Sequence, residues 1–368
     1  MPKAQETVLE IDLKALKHNF EHLKSRINNH TKFMAVVKAF AYGSDACKIA
    51  NHLQNLPVDY FAVAFVHEGV TLRNAGITKP ILVLHPQAVN FNALIENRLE
   101  PNLYNTKILN EFISITSAEK LTDYPIHIKF NTGLNRLGFS ESDVDYIVSR
   151  VNETSAVKIK SVFSHLAASE DLNERDFTIN QIETFKNIAK TLINAIGYKP
   201  LLHICNTSGI LNYPEGHFDM VRSGIGMYGF GNSEKENKNF KPIGTLKTII
   251  SQIHAIEKGA SVGYNRAFKT DKILRTATLP IGHADGIGRQ YGKGKGYVTI
   301  NNQKAYILGN VCMDMIMVDV TNIDCKEGDE VIVFGPNTTA ENLAETAGTI
   351  SYELITAISQ RVKRVFLK

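Results

Sequence analysis

Hydrophobic residues in the first 231 positions form short runs that are separated by stretches with helical spacing. In the helical stretches, apolar side chains recur three or four positions apart, as at Leu13, Leu16, Phe20 and Leu23. Runs rich in β-branched or other apolar residues predict eight strands, at 32–37, 60–65, 80–84, 101–104, 126–130, 159–163, 201–204 and 218–222. Eight strands that alternate with helices predict a parallel (β/α)₈ barrel.

The rest of the chain follows a different pattern. Residues 232–243 are polar, rich in Asn and Lys, and contain Pro242, so we assign them as a linker. It joins a barrel domain, residues 1–231, to a C-terminal domain, residues 244–368. The first ten or so residues are counted with the barrel but could pack with the C-terminal domain. Strand-like runs predict that the C-terminal domain is mostly β, with one helical region; the runs are 244–256, 273–279, 297–301, 304–308, 315–320 and 331–334, and the helical region is 340–359.

Composition narrows the classes of function. The chain has 41 Lys plus Arg and 37 Asp plus Glu, a net charge of +4, and no block of like charges. We therefore expect binding neither to nucleic acid nor to a membrane. Four dispersed cysteines contain no C-x-x-C pair, which argues against a metal site. No signal peptide and no apolar run near the ~20 residues of a membrane span are present, so we expect a cytoplasmic protein.

Candidate chemistry lies after the barrel strands, because barrel active sites form at the carboxyl ends of the strands. The polar residues found there are Lys38, Lys129, Arg136, His165, Asn206, Thr207 and Arg222. Each one alone could simply begin a loop, but together they indicate a site. Lys38 follows four apolar residues, and its structural alternative is a snorkelling or ion-paired lysine. The functional interpretation is an amine whose pKa is lowered by burial, suited to covalent chemistry.

A glycine-rich segment follows the eighth predicted strand. Residues 224–229, GIGMYG, match the dinucleotide pattern G-x-G-x-x-G. The segment leads into the polar linker rather than a helix, and no acidic residue ends a strand about 20 residues later. The remaining interpretation is a phosphate-binding loop at the place where barrels often hold a phosphate. A strand-end lysine, a phosphate loop and no metal cluster together favour pyridoxal 5′-phosphate.

The sequence then resembles a known family. Residues 35–43, AVVKAFAYG, resemble the cofactor-lysine motif of alanine racemases, enzymes with a barrel and a β-domain that interconvert L- and D-alanine. Further blocks resemble that family in order along nearly the whole chain: KFNTGLNRLGF at 129–139, SHLA at 164–167, NTS at 206–208, DMVRSGI at 219–225, SVGY at 261–264, CMD at 312–314 and ISYE at 350–353.

The resemblance implies roles for individual residues. Lys38 would hold pyridoxal 5′-phosphate covalently and act as a base on one face of the substrate Cα, with Tyr264 of a second subunit on the other face. Arg222 would donate to the pyridine nitrogen. His165 would pack near the ring, and the other cofactor-binding residues would be Tyr42, Asn206, Thr207, Gly224, Ile225 and Tyr352. The substrate carboxylate would meet Arg136, steadied by Lys129, which is carbamylated in many members of the family, and the backbone N–H of Met313 from the second subunit.

The chain departs from the family pattern at a few positions. The family commonly has Asn at Phe40, His at Ser44, Asp at Asn131 and Met at Leu134, and none of these changes removes a reacting group. His283 stands where a tyrosine usually precedes Ala-Asp-Gly and lines the entrance to the active site. That difference leaves the substrate range open toward serine or a basic amino acid.

The resemblance therefore predicts a cytoplasmic, homodimeric alanine racemase, an isomerase that supplies D-alanine for cell-wall peptidoglycan. A racemase of broader specificity is the nearest alternative. A decarboxylase of basic amino acids, a non-catalytic carrier of pyridoxal phosphate and a nicotinamide oxidoreductase are weaker ones.

Overall fold

The computed structural model of the protein describes residues 4–367. In chain order its strands are β1 (Val8–Asp12), β2 (Lys32–Val36), β3 (Tyr60–Val63), β4 (Ile81–Val83), β5 (Glu100–Leu103), β6 (Tyr124–Lys129), β7 (Val157–Phe163), β8 (Leu201–His203), β9 (Met220–Ser223), β10 (Gly244–Ile249), β11 (Gln252–Ile256), β12 (Ser261–Val262), β13 (Phe268–Lys269), β14 (Leu274–Leu279), β15 (Tyr297–Ile300), β16 (Gln303–Leu308), β17 (Ile316–Asp319), β18 (Glu330–Phe334) and β19 (Lys363–Leu367). The helices are α1 (Leu13–Lys24), α2 (Lys38–Gly43), α3 (Ala46–Leu53), α4 (Val66–Asn74), α5 (Phe91–Glu96), α6 (Thr106–Ala118), α7 (Val144–Asn152), α8 (Arg175–Ile196), α9 (Thr207–Asn212), α10 (Glu234–Asn237), α11 (Ala340–Glu345) and α12 (Ser351–Ala357).

Strands β2 to β9 form the parallel barrel that the sequence predicts. Their order is β8-β7-β6-β5-β4-β3-β2-β9, and every pairing is parallel. Two backbone hydrogen bonds bring β9 against β8, from Asp219 N to Leu202 O (3.1 Å) and from Arg222 N to Cys205 O (3.1 Å). The barrel is therefore nearly closed. The predicted fold class is confirmed, and each of the eight predicted runs overlaps a barrel strand.

Helix α1 shows why the periodic segments fold as the sequence predicts. The carboxylate of Asp12 accepts hydrogen bonds from Lys14 N and Ala15 N, which satisfies two of the unpaired amides of the first turn. One face of the helix is buried, and the ring of Phe20 packs edge-on against that of Phe33 in β2 at 5.0 Å. The apolar stripe thus attaches the helix to the outside of the barrel.

The C-terminal domain is built on a nine-stranded sheet with the order β11-β14-β17-β16-β15-β18-β10-β1-β19. Strand β1 pairs antiparallel with β10 and parallel with β19, so the chain enters the barrel only after a strand in the other domain. A buried Lys247 lies 3.0 Å from Glu10 and 3.4 Å from Glu330, and these ion pairs tie the three strands together. Residues 1–3 lie outside the described part of the chain.

Two details of the predicted elements are wrong, and one helix and four strands were not predicted. The run 244–256 is two strands, because the chain bends at Ile250 and Ser251 and pairs β10 with β18 but β11 with β14. The helical region 340–359 is two helices separated by a turn that contains Gly348 (φ 70°). The predicted linker contains helix α10, whose N-terminus is capped by the hydroxyl of Ser233. Strands β1 and β19 were not predicted, because their partners are distant in sequence, and β12 and β13 were missed because each has only two residues.

None of the helices in residues 4–367 combines the length and the apolar character needed to cross a bilayer. Within the same residues, no three His, Cys, Asp or Glu side chains are grouped as a metal site would need. The four cysteines are free thiols.

Candidate active site

Lys38 begins a left-handed turn at the carboxyl end of β2. Ala39, Phe40, Ala41 and Tyr42 all have φ between 52° and 54°, a conformation that costs an L-residue roughly 1–2 kcal/mol. The turn is held at its start by Glu68, whose carboxylate accepts a hydrogen bond from Ala39 N at 2.7 Å. The other oxygen of that carboxylate accepts from the backbone after β3, which anchors the turn to the neighbouring strand.

The end of this turn is clamped by the C-terminal domain. At Gly43 (φ 81°) a Cβ atom would lie 1.9 Å from the carbonyl oxygen of Ile355 in helix α12, so only glycine allows this approach. The guanidinium of Arg364 donates to Gly43 O (2.8 Å), to Ser44 O (3.1 Å) and to three carbonyls that follow helix α12. Contacts to both domains therefore compensate for the strained backbone beside Lys38.

The electrostatic setting of Lys38 favours a neutral amine. Burial lowers its pKa from the ordinary value, the charge of Arg136 lowers it further, and Glu68 acts in the opposite direction. A lysine must lose its proton before it can act as a nucleophile or a base. The position thus has the property that the sequence predicted for it.

Aromatic side chains and a glycine form a small polar cradle next to the turn. The ring of Tyr42 stacks on that of Tyr228 at 4.5 Å, and the ring of Tyr352 lies 6.1 Å from it. A Cβ atom at Gly224 would lie 2.1 Å from the hydroxyl of Tyr42. Within residues 4–367 the hydroxyls of Tyr42 and Tyr352 have no hydrogen-bond partner, and that of Tyr42 lies within reach of a ligand placed at Gly224.

The backbone beside the cradle also offers unpaired donors. The N–H groups of Gly224 and Ile225 have no acceptor in the described part of the chain, whereas Gly226 N donates to the hydroxyl of Thr207 at 3.3 Å. Two consecutive backbone N–H groups of this kind bind phosphate oxygens in many proteins. The side chain of Asn206 is already used inside the protein, because it caps helix α9 by accepting a hydrogen bond from Gly209 N at 2.9 Å.

The glycine-rich segment differs from the prediction in one respect. Residues Ile225–Tyr228 form a 3₁₀ helix rather than a loop. The segment still lacks the long helix of a dinucleotide fold, and the hydroxyl of Tyr228 donates back to Val36 O (3.1 Å) in β2. This hydrogen bond attaches the glycine-rich segment to the end of β2, two residues before Lys38.

Arg222 is buried at the carboxyl end of the last barrel strand. Its guanidinium donates to Ser164 O (2.7 Å) and Ile204 O (3.1 Å), and to the ring nitrogens Nδ1 of His203 and His165. Burial lowers the pKa of Arg222 to about 10, so the side chain remains a cation at neutral pH. A guanidinium has donors only, and it therefore cannot accept a proton from a ligand.

The other basic residues surround the same space. Burial and the charge of Arg222 lower the pKa of His165 well below its usual value, so this imidazole is neutral. Lys129 is also buried, and burial together with the charges of Arg136, Arg222 and Lys38 lowers its pKa to about 8. Arg136 lies in an exposed loop after β6, and its charge affects Lys38, Lys129 and His165.

The two remaining predicted residues lie elsewhere on the chain. Tyr264 is 74 % exposed and Met313 is 59 % exposed, both on the C-terminal domain. The side chain of Asn310 donates to Tyr264 O at 3.3 Å, which connects the loop of Met313 to the turn of Tyr264. Ala284 N donates a hydrogen bond to Met313 O, which places the preceding residue, the exposed His283, next to this loop. A single chain therefore groups Tyr264, Met313 and His283 but does not bring them to Lys38.

Three residues that shape the site were not identified from the sequence. Glu68 offered one signal, an acidic side chain in the first turn of a helix that follows a barrel strand. Tyr228 lies within the glycine pattern and resembled an ordinary core aromatic residue. Arg364 gave no local signal, because two of its acceptors, Gly43 and Ser44, are more than 300 residues away.

A barrel with a strand-end lysine beside unpaired backbone donors, joined to a β-domain, has the architecture of pyridoxal-phosphate-dependent amino-acid racemases. Comparison with known proteins agrees. Residues 11–231 match the family model "Alanine racemase, N-terminal domain", and residues 243–366 match "Alanine racemase, C-terminal domain". The chain belongs to the alanine racemase family, which confirms the resemblance.

Individual relatives extend over almost the whole chain. An alanine racemase of Thermodesulfovibrio yellowstonii is 36 % identical over 366 residues, which cover 97 % of each chain. The crystal structure of alanine racemase from Streptomyces lavendulae superposes with a TM-score of 0.93 at 29 % identity and covers 100 % of this chain and 98 % of that one. Alanine racemase from Bartonella henselae, solved with covalently bound pyridoxal phosphate, gives a TM-score of 0.90 at 28 % identity, with 99 % and 100 % covered.

Proposed function

We propose that the protein is an alanine racemase that interconverts L- and D-alanine with pyridoxal 5′-phosphate bound at Lys38. The observation that carries the proposal is the strand-end position of Lys38, half-buried, with a lowered pKa and next to a cradle of unpaired donors. When bound, the cofactor supplies a carbonyl group for covalent attachment of amines and a ring that withdraws electrons from the substrate Cα.

The cradle fits the phosphate of that cofactor. Gly224 N, Ile225 N and the hydroxyls of Tyr42 and Tyr352 are donors without a partner in residues 4–367, and phosphate oxygens are acceptors. Thr207 holds Gly226 N and contacts Ser223 at 3.0 Å, so it fixes the shape of the cradle. Asn206 contributes by positioning Thr207 at the start of helix α9.

Two basic residues control the cofactor ring. Arg222 offers only N–H donors, so it would hold the pyridine nitrogen of the cofactor by a hydrogen bond and would not protonate it. The bound cofactor would then supply only weak electron withdrawal, which would favour racemisation over transamination. The neutral His165, held by Arg222 at 3.2 Å, packs near the ring without adding charge.

Racemisation also requires a proton donor on the face of Cα opposite to Lys38. We propose that Tyr264 of a second subunit supplies it and that the backbone N–H of Met313 of that subunit binds the substrate carboxylate. The support is that Tyr264 and Met313 share one exposed face. In a two-fold dimer, each subunit would contribute its Tyr264 and Met313 to the site that contains Lys38 of the other subunit.

Mixing of inactive variants tests the shared site. Lys38→Ala and Tyr264→Phe chains, each nearly inactive, are allowed to exchange subunits at equal concentration. Random pairing makes about half of the dimers hybrid, and each hybrid contains one intact site, so activity should return to about one quarter of wild type. No recovery, with hybrid dimers verified by mass, contradicts a shared site.

We propose that Arg136 binds the substrate carboxylate and that Lys129 holds Arg136 in place. The lowered pKa of Lys129, about 8, leaves part of the amine neutral, and a neutral amine adds to CO₂ to form a carbamate and release a proton. The resulting anion would pair with Arg136 and hold its guanidinium toward the substrate. Growth with ¹³C-labelled bicarbonate should give a carbamate NMR signal that Lys129→Met abolishes.

Two measurements test the function itself. Borohydride reduction of the cofactor-loaded protein should label the peptide that contains Lys38, and label on another lysine contradicts the proposed site. Incubation with L-alanine in deuterated water should produce D-alanine with deuterium at Cα. Lys38→Ala should abolish both results, whereas Lys48→Ala, on the next helix, should abolish neither.

A racemase of broader specificity is the second candidate. The observation that favours it is His283, which is exposed beside the loop of Met313 and stands where the family commonly has a tyrosine. Chiral analysis with L-serine and L-lysine tests this candidate. Turnover of either amino acid that His283→Tyr selectively reduces would support it.

We propose that the protein acts in the cytoplasm and supplies D-alanine for peptidoglycan. The support is its membership of the alanine racemase family. Expression in a bacterium that requires D-alanine for growth should remove that requirement, and Lys38→Ala should not.

A further inference from the structure

The surroundings of Arg222 raise a question that the proposed function leaves open. The residue is 4 % exposed, yet among residues 4–367 no salt bridge joins its guanidinium to a carboxylate. Buried charges in proteins are normally paired, because an isolated charge is costly to remove from water. The direct partners of Arg222 are two backbone carbonyls and two imidazole rings, and none of them carries a negative charge.

A chain of hydrogen bonds leads from Arg222 to a carboxylate. Nη1 of Arg222 contacts Nδ1 of His203, and Nε2 of that ring lies 2.9 Å from the hydroxyl of Ser161. The same hydroxyl lies 2.5 Å from Nδ1 of His127, and Nε2 of His127 lies 2.6 Å from Glu100. These residues come from five successive strands, β9, β8, β7, β6 and β5, so the chain crosses the barrel interior.

The guanidinium fixes the direction of the protons. Arg222 only donates, so Nδ1 of His203 must accept, and a neutral ring then carries its proton on Nε2. That N–H donates to Ser161, which leaves the serine proton for Nδ1 of His127. His127 in turn donates from Nε2 to Glu100. Every donor therefore points away from Arg222 and toward the carboxylate.

Packing holds this chain in one arrangement. The rings of His203 and Phe163 stack at 4.7 Å with an angle of 4°, and the guanidinium of Arg222 lies 5.2 Å from the centre of the Phe163 ring. His127 and Ser161 are direct neighbours in the register of β6 and β7. His127, Ser161 and His203 are fully buried, so no water competes for their hydrogen bonds.

We propose that Glu100, His127, Ser161 and His203 form a proton-ordered relay that orients Arg222 and connects it by hydrogen bonds to a carboxylate four strands away. These four are positioning residues, because they act on the site only through Arg222. The functional part of this inference rests on the proposed racemase function. The arrangement of the protons does not, and it can be measured separately.

Nuclear magnetic resonance of ¹⁵N-histidine-labelled protein tests the relay, both with and without pyridoxal phosphate. His127 and His203 should each be neutral with the proton on Nε2, and their signals are assigned by loss in His127→Gln and His203→Gln. A proton on Nδ1 of either ring, or a doubly protonated ring, overturns the proposed order. This result is independent of whether the protein racemises alanine.

Ser161→Ala tests the effect on the site. Loss of one hydrogen bond of ordinary strength should lower kcat about tenfold and leave the KM for alanine within about twofold, because the carboxylate-binding groups are untouched. Ser161→Thr keeps the hydroxyl and should restore kcat. Thr178→Val is the control and should change neither constant, because it removes a buried hydroxyl on helix α8 that has no hydrogen-bond partner in residues 4–367.

The outcomes separate the two ideas. If wild type shows no racemase activity, the proposed function fails, and the histidine protons still decide the relay. If the protons are ordered as stated but Ser161→Ala keeps full kcat, the relay does not position Arg222 and the proposal is wrong. An equal loss in Thr178→Val also contradicts it, because the effect would then belong to any buried hydroxyl.

Discussion

Replacing Ala39 by glycine should stabilise the protein, although glycine normally weakens regular structure. Ala39 begins the left-handed turn after Lys38, with φ 52° and ψ 54°. An L-residue pays roughly 1–2 kcal/mol for that conformation, and glycine does not. Glycine costs about 0.5–1 kcal/mol more backbone entropy than alanine on folding. Ala39 is exposed, so its methyl group contributes little burial, and the net gain should lie between about 0 and 1.5 kcal/mol, with a central value of about 0.75 kcal/mol.

The matched control is the same substitution in a right-handed helix. Ala195 is exposed near the end of helix α8, where alanine is relaxed. Ala195→Gly should therefore lower the free energy of unfolding by about 0.5–1 kcal/mol. The two variants thus have opposite signs although they lose the same atoms.

Denaturant unfolding of the cofactor-free protein at one fixed protein concentration measures the effect, since ligand binding and subunit association both change apparent stability. The midpoint should rise for Ala39→Gly and fall for Ala195→Gly, with unchanged slopes. A loss in Ala39→Gly as large as that in Ala195→Gly refutes the argument, because it would mean that the turn carries no left-handed strain.

Other predictions concern the same region. Phe40→Asn should raise the free energy of unfolding by up to about 1 kcal/mol, because asparagine tolerates φ near 54° and the phenylalanine side chain is 59 % exposed; denaturation against wild type measures it. Arg364→Lys should cost about 2 kcal/mol or more and weaken cofactor binding in a fluorescence titration, because an ammonium cannot bind five carbonyls. Arg275→Lys, which loses two carbonyl contacts away from the cradle, should leave cofactor binding unchanged. Lys129→Met should be more stable than wild type below pH 8, in buffer without CO₂. The pKa of Lys129 is about 8 in the folded protein and 10.5 in the unfolded chain, so folded wild type loses the buried charge as the pH rises. The stability advantage of Lys129→Met should therefore shrink by up to about 1.4 kcal/mol per pH unit between pH 8 and 10.5. A difference in the free energy of unfolding that does not change with pH contradicts the lowered pKa.

The barrel could be predicted from the sequence because its signal is local. A strand buried on both faces appears as a continuous apolar run, and the helices between such runs keep their period. Strand β1 could not be predicted in the same way. Its five residues become a strand only through pairing with β10 and with β19, which starts at Lys363. Such pairing depends on the whole fold.

The candidate site also combines features that have a local sequence signal with features that depend on tertiary contacts. Lys38, Arg222 and the glycine pattern stand at strand ends, where residue type alone indicates chemistry. The left-handed turn was not predictable, because Ala39, Phe40 and Ala41 disfavour positive φ and only tertiary contacts impose it. The relay residues did leave a signal, since His127 lies between Ile126 and Ile128 and Ser161 directly precedes Val162 and Phe163 in the predicted strands. Their significance depends on a register that periodicity does not give.

The position of strand β1 has a consequence for biosynthesis. Val8 pairs with Lys363, so the first strand leaves the ribosome 355 residues before one of its two neighbours exists (363 − 8 = 355). At the usual speed of translation this delay is roughly 20–70 seconds. The barrel can form during that time, but one edge of β1 stays open and can pair with another nascent chain. Translation that stalls before residue 363 should therefore release a protein with a finished barrel and an aggregation-prone edge.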